Sequence, residues 1–83
     1  MLTMYSTPWC GHCYRLATQL GREGIEYTVV DIDADEAAAA FVSGVNGGNR
    51  TVPTVRFPDG TTLTNPSIVA VKDHLRAQVE PAR

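Results

Sequence analysis

Between Leu2 and Ile32 the hydrophobic period changes twice, from two residues to about 3.6 and back, and that switch leaves few folds open. Leu2 and Met4 alternate with Thr3 and Tyr5, so Leu2 to Ser6 reads as a strand that ends at Thr7 and Pro8. From Gly11 to about Glu23, the residues Cys13, Leu16, Ala17 and Leu20 keep the i, i+3, i+4, i+7 spacing of an amphipathic helix, and Gly24 is its stop. Glu26 to Ile32 is β-branched and aromatic, hence a second strand. Strands separated by a helix of this length run parallel and are joined by a right-handed crossover.

The rest of the chain continues in short patterned segments. Asp33, with Glu36 three residues on, gives a capping-box-like start to a second helix running to about Val42, which Asn46, Gly47 and Gly48 break. Thr54 to Phe57, the turn Pro58-Asp59-Gly60 and Thr61 to Thr64 read as a β-hairpin. In the last segment Asn65 is suited to cap and Pro66 to the first helical position, ahead of an apolar stripe of Ile68, Val71, Leu75 and Val79. The order is β-α-β-α-β-β-α. The assembly that gives every amphipathic face a partner is a four-stranded mixed sheet flanked by helices, an α/β arrangement of the thioredoxin-like kind. A chain of 83 residues buries only about 60% of its unfolded surface, so residues 1–83 are expected to form a single domain with one modest core.

Composition excludes several functions. A net charge of −2 gives no basic stripe, so no nucleic-acid partner is expected. The start MLTMYSTPWC lacks a charged, apolar leader, and no apolar run approaches the ~18 residues of a membrane span, so a cytoplasmic protein without membrane association is expected. In that compartment thiols stay reduced, and a close cysteine pair points to redox or metal work. Cys10, Cys13, His12 and His74 lack the paired spacing of a zinc site, so no metal is expected. Asp31, Asp33, Asp35 and Glu36 have the acidic spacing of a calcium loop, but Glu36 stands where glycine is required and Val42 where the last glutamate belongs. Asn49-Arg50-Thr51 fits a glycosylation acceptor that would stay unmodified without a secretory leader.

The chemistry falls on Cys10-Gly11-His12-Cys13, at the junction of strand and helix. The N–H groups of Gly11, His12 and Cys13 have no partner within the helix, and the helix dipole is positive there, so a thiolate at Cys10 is expected to be stabilised and to act as nucleophile. Cys13 lies one turn along the apolar stripe, where burial hides it and raises its pKa, leaving it to resolve a mixed disulfide from behind. Lowering a thiol from ~8.5 to ~6 raises its thiolate fraction at pH 7 roughly thirtyfold, but costs about thirteenfold in intrinsic nucleophilicity. Attack therefore gains little, and departure of the low-pKa sulfur gains most, which suits turnover by a small thiol. His12 either adds positive charge beside Cys10 or simply faces water. Trp9, in an exposed turn, is better placed to wall a substrate groove than to fill a core. Val52-Pro53 stands before the third strand, where a proline, cis or trans, leaves neighbouring backbone free for an extended ligand.

Cys10-Gly11-His12-Cys13 after a short strand, Thr51-Val52-Pro53 before a hairpin, and the element order resemble the glutaredoxin family along nearly the whole chain. The segments Val45 to Val55 and Asp59 to Ser67 are similar, more narrowly, to the mycoredoxins, the branch of that family that works with mycothiol. Where the family commonly carries a lysine shortly before the first cysteine this chain has Thr7, and where it has Gly-Gly and acidic residues after the hairpin this chain has Thr64, Asn65 and Ser67. Those neutral side chains match mycothiol, an uncharged acetylcysteine on an aminosugar-inositol, better than glutathione, a charged tripeptide. Arg50 is either a ligand contact or a solvated loop residue.

The resemblance implies that Cys10 attacks the disulfide between a protein and mycothiol, and that a second mycothiol, or Cys13, completes the cycle. It implies ligand contacts at Trp9, His12, Val52, Pro53, Thr64 and Asn65, with Val52 pairing the cysteinyl backbone. It also implies no tightly bound cofactor, mycothiol as reducing co-substrate, and mycothiol disulfide reductase with NADPH upstream. A monomer is expected. Two other readings use the same fold. Redoxins that feed ribonucleotide reductase take electrons from thioredoxin reductase and usually carry a tryptophan-serine-glycine stretch, absent here. Some glutaredoxins with glycine after the first cysteine hold an iron-sulfur cluster between two copies, through that cysteine and a small thiol.

Overall fold

The computed structural model describes residues 1–79, with side chains described up to Ala77. Its elements are β1 (Leu2–Ser6), α1 (Gly11–Arg22), β2 (Tyr27–Asp31), α2 (Glu36–Val45), β3 (Thr54–Arg56), β4 (Thr62–Thr64) and α3 (Ile68–Val79). The sheet order is β2-β1-β3-β4, with β1 parallel to β2 and the other two pairings antiparallel. Met4 lies opposite Val55 and Val55 opposite Leu63, so the hairpin and the crossover unit share one register.

The period-two pattern of β1 sorts the layers. Leu2 and Met4 face one side, where they pack with Leu16 and Leu20 of α1, Val71 of α3, Val55 and Phe57. Tyr5 faces the other, with Ile32 and with Ala38, Ala39 and Val42 of α2. The sheet is therefore covered on one face by α1 and α3 and on the other by α2, giving the thioredoxin-like three-layer arrangement. Leu20, Val42, Val55 and Val71 are completely buried, so each layer has its own anchor. A Lys72–Glu23 ion pair at 2.9 Å ties α3 to α1 at the surface.

Helix starts differ from the sequence expectation at two places, both for hydrogen-bonding reasons. Asp33 does not cap α2. Its N–H is taken by Asp31 Oδ1 at 2.8 Å in a local side-chain turn, and the cap is Asp35, whose Oδ1 accepts the Ala38 N–H at 3.0 Å. The helix also runs on from Val42 to Val45, because Gly44 is helical and the left-handed position falls to Gly47, at φ +66°. Likewise Asn65 does not cap α3, and Pro66 precedes the cap rather than following it. Ser67 Oγ accepts the Ala70 N–H at 3.0 Å and so holds the helix start. The stripe Ile68, Val71 and Leu75 joins the core as its spacing requires, while the side chain of Val79 lies outside the described residues.

Candidate active site

Ser6 ends β1 and the chain turns through Thr7, Pro8 and Trp9, closed by the Cys10 N–H donating to the Thr7 carbonyl at 3.3 Å. Cys10 has extended backbone, φ −91° and ψ 109°, and is the N-cap of α1. A cap offers its side chain to the first unpaired amides of the helix, and here that side chain is the sulfur: the Cys13 N–H donates to Cys10 Sγ at 3.1 Å. Of the three amides that sequence reasoning aimed at the sulfur, this is the one that reaches it. On its other side Cys10 Sγ lies 3.9 Å from the Val52 carbonyl, to which the thiol donates.

Exposure does not separate the two cysteines, which are 6% and 4% accessible. Burial, followed by the hydrogen bond to Cys10 and the Cys10 charge, pushes the Cys13 thiol up from 9.0 to about 12, against an opposing pull from the Thr7 backbone. Cys13 therefore keeps its proton throughout the neutral range.

The surroundings of Cys10 are built by distant segments. The Val52–Pro53 peptide bond is cis, and the N–H of Val52 has no partner among the described residues. Pro53 is buried, and its carbonyl accepts the Asn65 N–H at 2.7 Å. That bond is made with Asn65 in the left-handed region, at φ +47°, which asparagine tolerates better than most residues. It sets Asn65 against the proline turn, and it explains why Asn65 is not available as a cap.

Asn46 is a tie that sequence reasoning used only as a helix breaker. Its side-chain amide donates to the Val42 carbonyl at 2.9 Å and to Thr54 Oγ1 at 3.1 Å, while its Oδ1 accepts from the Thr64 hydroxyl. Thr54 in turn donates to the Thr51 carbonyl at 2.8 Å. One residue thus fixes the end of α2, the entry to β3 and the end of β4 beside the proline turn. Thr64, expected as a ligand contact, is exposed with its hydroxyl proton held by Asn46. Trp9 is 75% exposed, and its indole N–H donates to Asp33 Oδ2 at 3.3 Å, which holds it upright outside the core. His12 and Arg50 are exposed. Thr7, read as part of a neutral groove, is instead buried, with a hydroxyl oxygen that has no partner.

Two cavities flank the pair. One, about 240 Å³, lies behind Cys13 and is mostly apolar, with Met4, Tyr14, Ala17 and Val29 among its walls. The other, about 350 Å³, opens between α1 and the loop from β4 to α3, where Arg15 and Gln19 face Asn65 and Ser67. Sequence reasoning missed Arg15 and Gln19, although the spacing of His12, Arg15 and Gln19 on one helix face signalled them. Among the described residues, no group of three or more histidine, cysteine or acidic side chains is placed to hold a metal ion.

Against known proteins, a family model described as Glutaredoxin matches residues 2–61. A Mycobacterium tuberculosis chain provisionally named glutaredoxin Rv3198A is 61% identical over 74 residues, covering 89% of this chain and 88% of that one. Mycoredoxin 1 of Corynebacterium glutamicum is 51% identical over 65 residues, covering 78% of this chain and 80% of that one. The crystal structure of a glutaredoxin from Archaeoglobus fulgidus superposes with a TM-score of 0.76 at 26% identity, covering 92% of this chain and 86% of that one.

Proposed function

The chain belongs to the glutaredoxin family, and from that premise we propose that it reduces mixed disulfides between proteins and mycothiol, with mycothiol as the reducing co-substrate. The observation that carries the reading is the asymmetry of the pair: Cys10 caps the helix and faces the Val52 carbonyl, beside a Val52 N–H with no partner among the described residues, while Cys13 is held as a thiol. Similarity to Mycoredoxin 1 and the neutral side chains at Thr64 and Asn65 support mycothiol as the small thiol.

In this mechanism the Cys10 thiolate attacks the mycothiol sulfur. The bond between that sulfur and the protein breaks, and the protein cysteine leaves with the electron pair and takes a proton from solvent. The Cys13 N–H lies where charge on the Cys10 sulfur is consumed and later regenerated, so it assists both capture and release. Val52 pairs the cysteinyl backbone, with Pro53 flanking it and Trp9 walling the groove. A second mycothiol thiolate then attacks the bound mycothiol sulfur, forming mycothiol disulfide and returning Cys10. NADPH, through mycothiol disulfide reductase, restores the pool. The protein works as a monomer in the cytoplasm, where small thiols are kept reduced.

The test is turnover of one client carrying either a mycothiol or a glutathione cap, with the matching thiol as reductant, and with thioredoxin reductase as a third electron source. Preference for mycothiol of at least tenfold is expected. Comparable rates with both thiols, or turnover sustained by thioredoxin reductase alone, would reject the proposal.

A further inference from the structure

We infer that client proteins dock on the flank formed by α1 and the outer edge of β2, laying an extended segment with apolar and basic side chains along that edge; this rests on the proposed reduction of capped protein cysteines. Among the described residues β2 pairs with β1 alone, so its other side is open. The Glu26 carbonyl and the Ile32 N–H both bond to β1. Backbone direction alternates along a parallel strand, so Tyr27 and Val29 turn their N–H and C=O groups outward. The strand carries neither the proline nor the lysine that commonly blocks an edge, and an added strand would satisfy these groups.

The surface beside this edge is apolar and uncovered. Val29 lies opposite Met4, and both line the cavity of about 240 Å³ behind Cys13, with Tyr14 and Ala17 of α1. That volume is below the ~300–1,000 Å³ of small-molecule sites, so it suits one or two inserted side chains. Met1, Trp9, Tyr14 and Val29, four of the large hydrophobic side chains left exposed, lie on this flank, Met1 being placed there by the Thr28 hydroxyl, which donates to its sulfur. Thr7, whose buried hydroxyl has no partner, also lines the cavity. The flank is continuous with the cysteine pair: Tyr14 donates its hydroxyl proton to the Pro8 carbonyl at 3.0 Å, and Trp9 reaches from the same loop to Asp33.

Charge selects the occupant. Glu26 stands at one end of the edge and Asp31 and Asp33 at the other, and among the described residues none of the three enters an ion pair. A client segment with lysine or arginine on either side of its apolar residues would meet both ends, and an acidic one would be repelled. A second copy of this chain fits poorly. In the antiparallel register that uses the outward groups of Tyr27, Val29 and Asp31, Glu26 of each copy would fall between Asp31 and Asp33 of the other, gathering like charges at both ends.

The experiment measures kcat/KM for two peptides of equal length, each with a mycothiol-capped cysteine followed by an alternating valine-threonine segment, flanked by lysines in one and by glutamates in the other. Capped N-acetylcysteine, which has no segment to dock, is the reference. Wild-type protein should favour the lysine peptide about tenfold at low salt, mainly through KM, since partly exposed ion pairs contribute roughly two- to fivefold each. Salt at 0.5 M should reduce that ratio to about twofold. The double variant Asp31→Asn, Asp33→Asn keeps oxygens to accept the Asp33 and Trp9 N–H groups, and should bring the low-salt ratio down to about threefold. Val29→Lys, a residue type common on edge strands, should lower kcat/KM for the lysine peptide at least fivefold relative to the reference. Asp73→Asn, which removes an exposed negative charge from α3 on the far side of the sheet, should leave the ratio unchanged. Equal wild-type specificity for the two peptides, an unchanged ratio in the double variant, or the same fall in Asp73→Asn overturns the docking surface alone. So does sedimentation showing a dimer that Val29→Lys dissociates, which would assign the flank to a second copy. Failure of the wild type to act on capped N-acetylcysteine overturns the parent reading instead.

Discussion

Replacing Cys13 by serine removes the second sulfur without disturbing the amide that serves the first, and the height of the Cys13 pKa says how little should be lost. With its thiol at about 12, the thiolate fraction of Cys13 at pH 7.5 is roughly 3 in 100,000, against about one in ten for a small thiol near 8.5. The more basic thiolate is intrinsically more reactive by roughly fortyfold, from a Brønsted coefficient of ~0.45 over ~3.5 units. The net disadvantage is therefore on the order of eightyfold, and Cys13 matches a millimolar thiol only at an effective concentration near 80 mM. Two of the causes that raise it, the hydrogen bond to Cys10 and the Cys10 charge, vanish once Cys10 is in a disulfide, but the first cause, burial, stays. Cys13→Ser should thus retain at least half of the wild-type rate on a mixed disulfide at millimolar small thiol, whereas Cys10→Ser should lose all turnover. The readout is NADPH consumption in the coupled cycle. On a client held by an internal disulfide, which needs both sulfurs, the wild-type rate should climb about tenfold per pH unit from pH 7 to 9, because the attacking form is the thiolate and the window lies below its pKa. A tenfold or larger loss in Cys13→Ser, or a flat pH profile for the two-sulfur reaction, would refute this reasoning.

The same burial has a stability signature. A group whose folded pKa is raised contributes stability that is present below its unfolded value and is lost as pH climbs through the folded one. Reduced wild-type protein should therefore lose stability between pH 9 and about 12 relative to Cys13→Ala, in paired denaturant titrations, and a flat difference over that window would show that the thiol is not held up by burial. The cap assignment separates two neighbouring aspartates: Asp35→Ala should cost about 1 kcal/mol and lower Tm by roughly 4–8 °C, while Asp33→Ala should leave Tm within a degree or so. Calorimetry that found the larger loss at Asp33 would restore the cap inferred from sequence. Asn46→Ala removes three side-chain hydrogen bonds, partly exposed to water, and should cost about 2 kcal/mol. It should also raise KM for the mixed disulfide, because the end of β4 is no longer tied to the proline turn; a loss of stability with KM unchanged would show that Asn46 serves the fold alone.

The elements were legible where periodicity is enforced by burial. Leu2 and Met4 had to share a face opposite Tyr5, and Leu16, Leu20 and Val71 had to meet that face, so strand, helix and layer assignments followed from the pattern. Helix starts were not legible in the same way. Asp31, Asp33 and Asp35 all suit a cap, and which of them does so depends on Asp31 first claiming the Asp33 N–H, a competition within the loop that spacing does not reveal. Asn65 shows the same limit at longer range. As the residue before Pro66 it has the chemistry of a cap, but its N–H is drawn to the Pro53 carbonyl, a partner known only after the hairpin has folded back.

The cysteine pair shows how far local sequence reaches into a candidate site. Spacing alone placed Cys10 at a helix start and Cys13 on the buried stripe, because three residues are close to one helical turn. The different roles proposed for them, however, are not a matter of one sulfur lying outside and the other inside, since both are almost fully covered. The difference arises from direction: Cys10 turns its sulfur into the open first turn of α1 and toward Val52, a segment 42 residues away, while Cys13 meets Cys10, the Thr7 backbone and the apolar interior. An N-cap and a residue inside the helix can be equally buried and still face different surroundings, because only the cap offers its side chain to the unpaired amides of the first turn. It follows that a conservative change at Val52 or Pro53 that shifts the turn while leaving the C-x-x-C untouched should disturb Cys10 before Cys13. The groove is therefore specified as much by the proline turn, and by the Asn46 and Asn65 bonds that hold it, as by the cysteine motif itself.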